Sequence, residues 1–158
     1  MSRQAPAVVT WRMSASEPRD GGERAVVLYD RDCGFCRWTL AQLLDLDHRL
    51  RLRPVALQDP EADRLLRGMP AGPKYASAHL VTADGQIHSG GLAVAPILEL
   101  LPHGTSFARV ARLFPGPLRV GYAWVARHRT LLSRPVPARL KRRATARIDR
   151  HALATQGR

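Results

Sequence analysis

The stretch Ala25-Val26-Val27-Leu28-Tyr29-Asp30-Arg31-Asp32-Cys33-Gly34-Phe35-Cys36 contains both cysteines of the chain. Ala25 to Tyr29 reads as a short buried strand. Downstream, Arg37-Trp38-Thr39-Leu40-Ala41-Gln42-Leu43-Leu44 begins a helical pattern. A C-x-x-C at a strand-to-helix junction is the setting in which a dithiol becomes redox-active. Unpaired backbone N–H groups and the positive end of the helix dipole favour a thiolate on Cys33. Cys36, one turn on, is spaced to attack a mixed disulfide formed by Cys33. The helix runs to about Asp47, with Cys36, Leu40, Leu43 and Leu46 on one face and Arg37, Asp45 and His48 on another. That pattern predicts Cys36 pointing inward and Cys33 at the exposed tip.

Outward from this centre, Leu50 to Val55 alternates as a half-buried strand, and Pro54 marks it as an edge or exit. Pro60 to Arg67 is a short helix with Asp59 as N-cap and Gly68 closing it. A loop with Pro70, Gly72 and Pro73 leads to a third strand, Ala76 to Thr82. Asp84-Gly85 is a hairpin turn, and Gln86 to His88 is the returning strand. Ser89-Gly90-Gly91 opens a helix over Leu92 to Leu101, which Pro96 should kink. A βαβ unit followed by ββα is the thioredoxin arrangement. Three further helical segments follow, roughly Ser106 to Phe114, Leu118 to Leu132 and Ala138 to His151, punctuated by prolines. Leu118, Tyr122 and Val125 form a stripe that should pack on the domain.

With 158 residues and 45% hydrophobic content, the chain can bury one proper core. Two cysteines exclude a disulfide-scaffolded secreted module. Residues 1–23 mix Ser, Pro, Gly and charges and read as a disordered leader without a secretory h-region. The apolar run from Leu92 to Leu101 is too short to span a bilayer. A cytoplasmic location is expected, where such a dithiol is kept reduced. Of the 25 basic and 13 acidic residues, ten basic and one acidic (Asp149) lie from Arg127 onward. Much of the net +12 charge therefore belongs to the end of the chain. The expected domains are the leader 1–23, a thioredoxin-like unit 24–132 and a basic, partly helical, solvated tail 133–158.

The Asp30, Asp32, Cys33 and Cys36 pattern resembles the DCC family of predicted thiol–disulfide oxidoreductases, named for that motif. The strand with Ser77, the Asp84-Gly85 turn, the Ser89-Gly90-Gly91-Leu92-Ala93 helix entry and the Pro-rich helices are also similar to it, over roughly Arg24 to Leu132. The resemblance implies a thioredoxin-like fold and a catalytic Cys33–Cys36 pair. Thioredoxins place a cis-proline before the third strand, where this chain has Ala76-Ser77, so Ser77 is the candidate for docking substrate there. Family members often carry a further C-terminal cysteine. This chain has none, which excludes a third thiol from the mechanism.

Other readings of these residues stand beside the redox one. Two cysteines are half a zinc site and would need help from His79, His88, Asp30 or Asp32, without the usual spacing. They can also be inert buried thiols. Asp30 reads equally as a proton acceptor for Cys36 or as a turn cap, and Asp32 as the helix cap, while both carboxylates oppose a Cys33 thiolate. Phe35 is either an exposed docking residue or a core contact. The basic tail suits weak binding to a polyanion, or solvation alone. The function expected is thiol–disulfide oxidoreductase, with no metal or cofactor, a protein or small-molecule disulfide as substrate and a cellular thiol as reductant. The rival is a non-enzymatic nucleic-acid or membrane-surface binder with a structural C-x-x-C.

Overall fold

Strand β1 (Ala25–Tyr29) is the centre of the fold, and both of its faces are buried. In the computed structural model, which describes residues 24–156, it lies in a four-stranded sheet of order β2-β1-β3-β4. Strand β2 (Leu52–Ala56) runs parallel to β1, pairing Val27 with Pro54. Strand β3 (His79–Val81) runs antiparallel to β1, pairing Val27 with Leu80, and β4 (Ile87–Ser89) runs antiparallel to β3. Pro54 sits on an edge strand, where its missing N–H costs no ladder bond. The leader expected over residues 1–23 lies outside the described residues.

Alternation along β1 builds two cores. Ala25 and Val27 join Leu40, Ala41 and Leu44 of α1 (Gly34–Leu46), Leu52, Leu80, Ala93 and Leu101 on one face. Val26 and Leu28 join Val55, Leu57 and Val81 on the other, under Ala62 and Leu65 of α2 (Pro60–Leu65). The chain then forms α3 (Ala71–Ala76), the β3–β4 hairpin, a 3-10 turn at Gly90–Ala93, α4 (Val94–Leu100), α5 (Thr105–Leu113), α6 (Pro115–Ser133) and α7 (Ala138–Gln156). This is a thioredoxin-like core with added C-terminal helices. Among the described residues, no helix is long and apolar enough to cross a membrane.

Several expectations are corrected. The segment expected as a loop and the start of a strand is α3, and β3 begins only at His79. Pro73 falls in the first turn of α3, where a proline needs no N–H partner. Pro96 does not kink its helix, because α4 starts at Val94 and Pro96 lies in its first turn. The buried stripe of α1 is Gly34, Leu40, Ala41 and Leu44, whereas Leu46 is exposed. Ala41 and Gly34, both small, let α1 approach its neighbours, while Leu43 stays half-buried against the core and Leu46 turns outward.

The largest difference concerns α7. The solvated appendage expected from residue 133 onward instead lays this helix on α1 and β2. Ala144 and Ile148 enter the first core, and His151 and Thr155 are also buried, a stripe at i, i+4, i+7 and i+11. His151 Nε2 lies 3.0 Å from the Leu52 carbonyl and 3.3 Å from the fully buried Asp47 carboxylate. Asp47, the C-cap of α1, also accepts the N–H groups of Arg51 and Leu52 at 3.0 and 2.8 Å. Arg147 pairs with Asp45 across the α1–α7 contact. The stripe is made of one isoleucine and small or polar residues, so surrounding arginines hide it in the sequence.

Of the expected stripe Leu118, Tyr122 and Val125, the first two meet the 3-10 turn, and Val125 is half-buried. A Cβ at Gly91 would come within 2.9 Å of the Leu118 carbonyl and 3.0 Å of Arg119 Cα. Glycine there lets the start of α6 touch the 3-10 turn, and Gly90 beside it takes φ +58°. This is the structural reason for Ser89-Gly90-Gly91.

Candidate active site

Cys33 and Cys36 are joined by a disulfide, with their Cα atoms 5.2 Å apart. Cys33 is the N-cap of α1, in extended conformation, and its Sγ accepts the Cys36 N–H at 3.1 Å. Its carbonyl accepts the Arg37 N–H at 3.1 Å, the first bond of the helix. A serine or aspartate oxygen usually fills this place. Sulfur does so here, so one backbone N–H of the first turn of α1 is already aimed at Cys33 Sγ. The expected contrast in burial is absent, since both cysteines are half-buried.

Asp32 does not cap α1, because Cys33 occupies that position; Asp32 is exposed and accepts from Gln58 Nε2 at 3.3 Å. Asp30 caps the turn, its Oδ1 accepting the Asp32 N–H at 3.0 Å and Gln58 Nε2 at 2.8 Å. Gln58 Oε1 accepts the Arg31 N–H at 3.2 Å, so one side chain from the loop after β2 holds the whole Asp30–Asp32 turn. Arg31 itself reaches Asp59 at 3.1 Å, which draws Asp59 away from capping α2 through its side chain.

Arg129 of α6 supplies a group that the sequence did not flag. Its guanidinium lies 3.5 Å from Asp30 Oδ2 and donates to the Tyr75 carbonyl at 3.1 Å. It thereby ties the turn before the dithiol to the end of α3, next to Ser77. The cation also offsets the Asp30 charge. Ser77 is the half-buried C-cap of α3. The next residue, Ala78, donates its N–H to Tyr122 Oη at 2.8 Å. Burial pushes the Tyr122 phenol up in pKa, so the hydroxyl stays neutral. Phe35 is half-buried and its ring lies 6.2 Å from that of Trp38, a tilted pair. All peptide bonds among the described residues are trans, including those around Ser77.

His79 and His88, considered as metal partners, lie elsewhere. His79 is buried in β3, with Nε2 donating to the Lys74 carbonyl at 2.9 Å and Nδ1 2.7 Å from Ser89 Oγ. Among the described residues, no group of three or more His, Cys, Asp or Glu could hold a metal ion.

A dithiol at the start of α1, on this sheet order, is what decides the relationship. The family model described as DCC1-like thiol-disulfide oxidoreductase matches residues 27–135. The chain belongs to that family. Neither the curated proteins nor the solved structures gave a match. The matched span holds the dithiol, Gln58, Ser77, Tyr122 and Arg129, and it stops before α7. Gln58 and Arg129 had no legible signal, since neither belongs to a motif and their partners lie 28 and 99 positions away in the sequence.

Proposed function

We propose that this protein is a thiol–disulfide oxidoreductase in which Cys33 attacks and Cys36 resolves. The observation that carries the reading is the Cys33–Cys36 disulfide at the start of α1, with the Cys36 N–H on Cys33 Sγ. In the reduced protein, the Cys33 thiolate attacks one sulfur of a substrate disulfide. A Cys33 mixed disulfide forms and the other substrate sulfur leaves as a thiolate, which takes a proton. Cys36 then loses its proton, to Asp30 or water, and attacks Cys33 Sγ. The second substrate thiolate leaves, and the protein carries the Cys33–Cys36 disulfide. Substrate has gained two electrons and two protons, and an external cellular thiol restores the dithiol. The substrate is a protein or small-molecule disulfide in a reducing compartment such as the cytoplasm, with Ser77 and Phe35 flanking the approach. The basic face of α7 adds weak attraction for polyanions.

The test is alkylation rate against pH for each single cysteine variant, with mass spectrometry of trapped partners. Cys36→Ser is expected to react fast and accumulate a stable mixed disulfide, with its Cys33 titrating below the ~8.5 of a free cysteine. Cys33→Ser is expected to trap nothing. A faster, lower-pKa Cys36 would refute the assignment of roles.

A further inference from the structure

Arg31, Arg53, Arg112, Arg129 and Arg147 each pair with a carboxylate. Many other cations among the described residues are unpaired, but Arg37, Lys141 and Arg142 converge on one place. Among the described residues none of the three forms an ion pair, and all three line one cavity of about 410 Å³ with Thr145, Ala146 and Asp149. Arg37 directly follows Cys36, and it is turned toward α7 by donating to Thr145 Oγ1 at 3.0 Å. Its Nε is buried without an acceptor. Lys141 lies against the dithiol turn itself. A Cβ at Gly34, between the cysteines, would come within 2.9 Å of Lys141 Cε and 2.8 Å of Ser133 Oγ. Glycine at that position makes room for the lysine stem. The cavity thus joins the motif, through Arg37 and Gly34, to a helix beyond the family match.

From this arrangement we infer that the α1–α7 groove is a recognition site for carboxylates on a low-molecular-weight disulfide, whose sulfur it presents to Cys33. The inference rests on the proposed thiol–disulfide activity and names its substrate class. Three cations against the single carboxylate of Asp149 leave an excess of two positive charges. The volume falls within the ~300–1,000 Å³ typical of small-molecule sites. Guanidinium groups bind carboxylates through paired N–H donors, and a lysine adds a point charge. The bond chemistry is that of the preceding subsection, with the small disulfide supplying the attacked sulfur.

The experiment uses the full chain, reduced, and compares its rate with oxidised glutathione, which carries carboxylates, to that with neutral hydroxyethyl disulfide. Lys141→Gln and Arg142→Gln are each expected to lower the glutathione-to-neutral ratio by roughly twofold to fivefold, the upper range for loss of one partly exposed charge contact. Arg139→Gln, the same charge change on the same helix outside the groove, is expected to shift it less than about twofold. Calorimetric titration of the oxidised protein with S-methylglutathione gives a readout free of exchange chemistry, and binding is expected to weaken in the groove variants alone. An equal shift in Arg139→Gln would assign the preference to net charge and overturn the site. An unchanged ratio in all variants, with both disulfides reacting, would overturn it while leaving the proposed activity standing. Reaction with neither disulfide would refute the activity and this site together.

Discussion

Ile148→Ala tests whether α7 belongs to the core. Ile148 is 2% exposed and sits in the cluster with Leu40, Leu44 and Leu52. The change deletes three carbons, worth about 2.4 kcal/mol at ~0.8 kcal/mol per buried methylene. The cavity left between α7 and α1 adds to this, so about 3–4 kcal/mol is expected, within the ~2–5 kcal/mol of comparable truncations. For a domain of this size, that lowers Tm by roughly 10–15 °C. Leu153, on the same helix, is 69% exposed, and Leu153→Ala is expected to cost less than about 0.5 kcal/mol. The assay is urea unfolding of the oxidised protein followed by tryptophan fluorescence, with the slope checked for constancy so that the midpoints report stability. If the two variants unfold within about 0.5 kcal/mol of each other, α7 is an appendage and its packing on α1 is refuted.

Two further outcomes follow from the polar side chains of Tyr122 and His79. Tyr122→Phe removes the acceptor of the Ala78 N–H and is expected to cost about 1–2 kcal/mol in the same assay; no measurable loss would mean water replaces the hydroxyl. Burial, with the Lys74 charge adding, holds the His79 imidazole below its usual pKa, against the opposing pull of its bond to the Lys74 carbonyl. Below the ~6.5 of a free imidazole, the unfolded chain takes up a proton that the folded one resists. Stability should therefore fall as pH drops through that region and be insensitive to His79 above it. His79→Gln should flatten the decline, and an unaltered slope would assign it to other groups.

The β1–Cys33–α1 junction was legible because its signals are local: an apolar run, two cysteines at redox spacing and a helical period. The hairpin at Asp84-Gly85 and the α6 stripe were legible for the same reason. Leu46 misled because leucine spacing alone does not say which side of α1 meets a neighbour, and small residues settled that. The cap at Cys33 was missed because aspartate is the commoner capping residue and Asp32 stood next to it. Gln58 and Arg129 act through partners far along the chain, which no local pattern carries. In α7, composition outweighed periodicity: six basic residues surround a stripe containing a single large apolar side chain.

The contact between Arg24 and α7 has a consequence for how the chain is threaded. Arg24 donates to the Thr155 carbonyl at 2.9 Å across 131 positions of sequence. The backbone from β1 to α7 thus comes back to its own beginning, nearly a ring. Joining Thr155 to Arg24 through a short linker and opening the chain at the exposed Asp84 turn would give a circular permutant with every core contact retained. In that order of synthesis α7 would precede β1, and the dithiol would emerge after the helix that packs over Gly34.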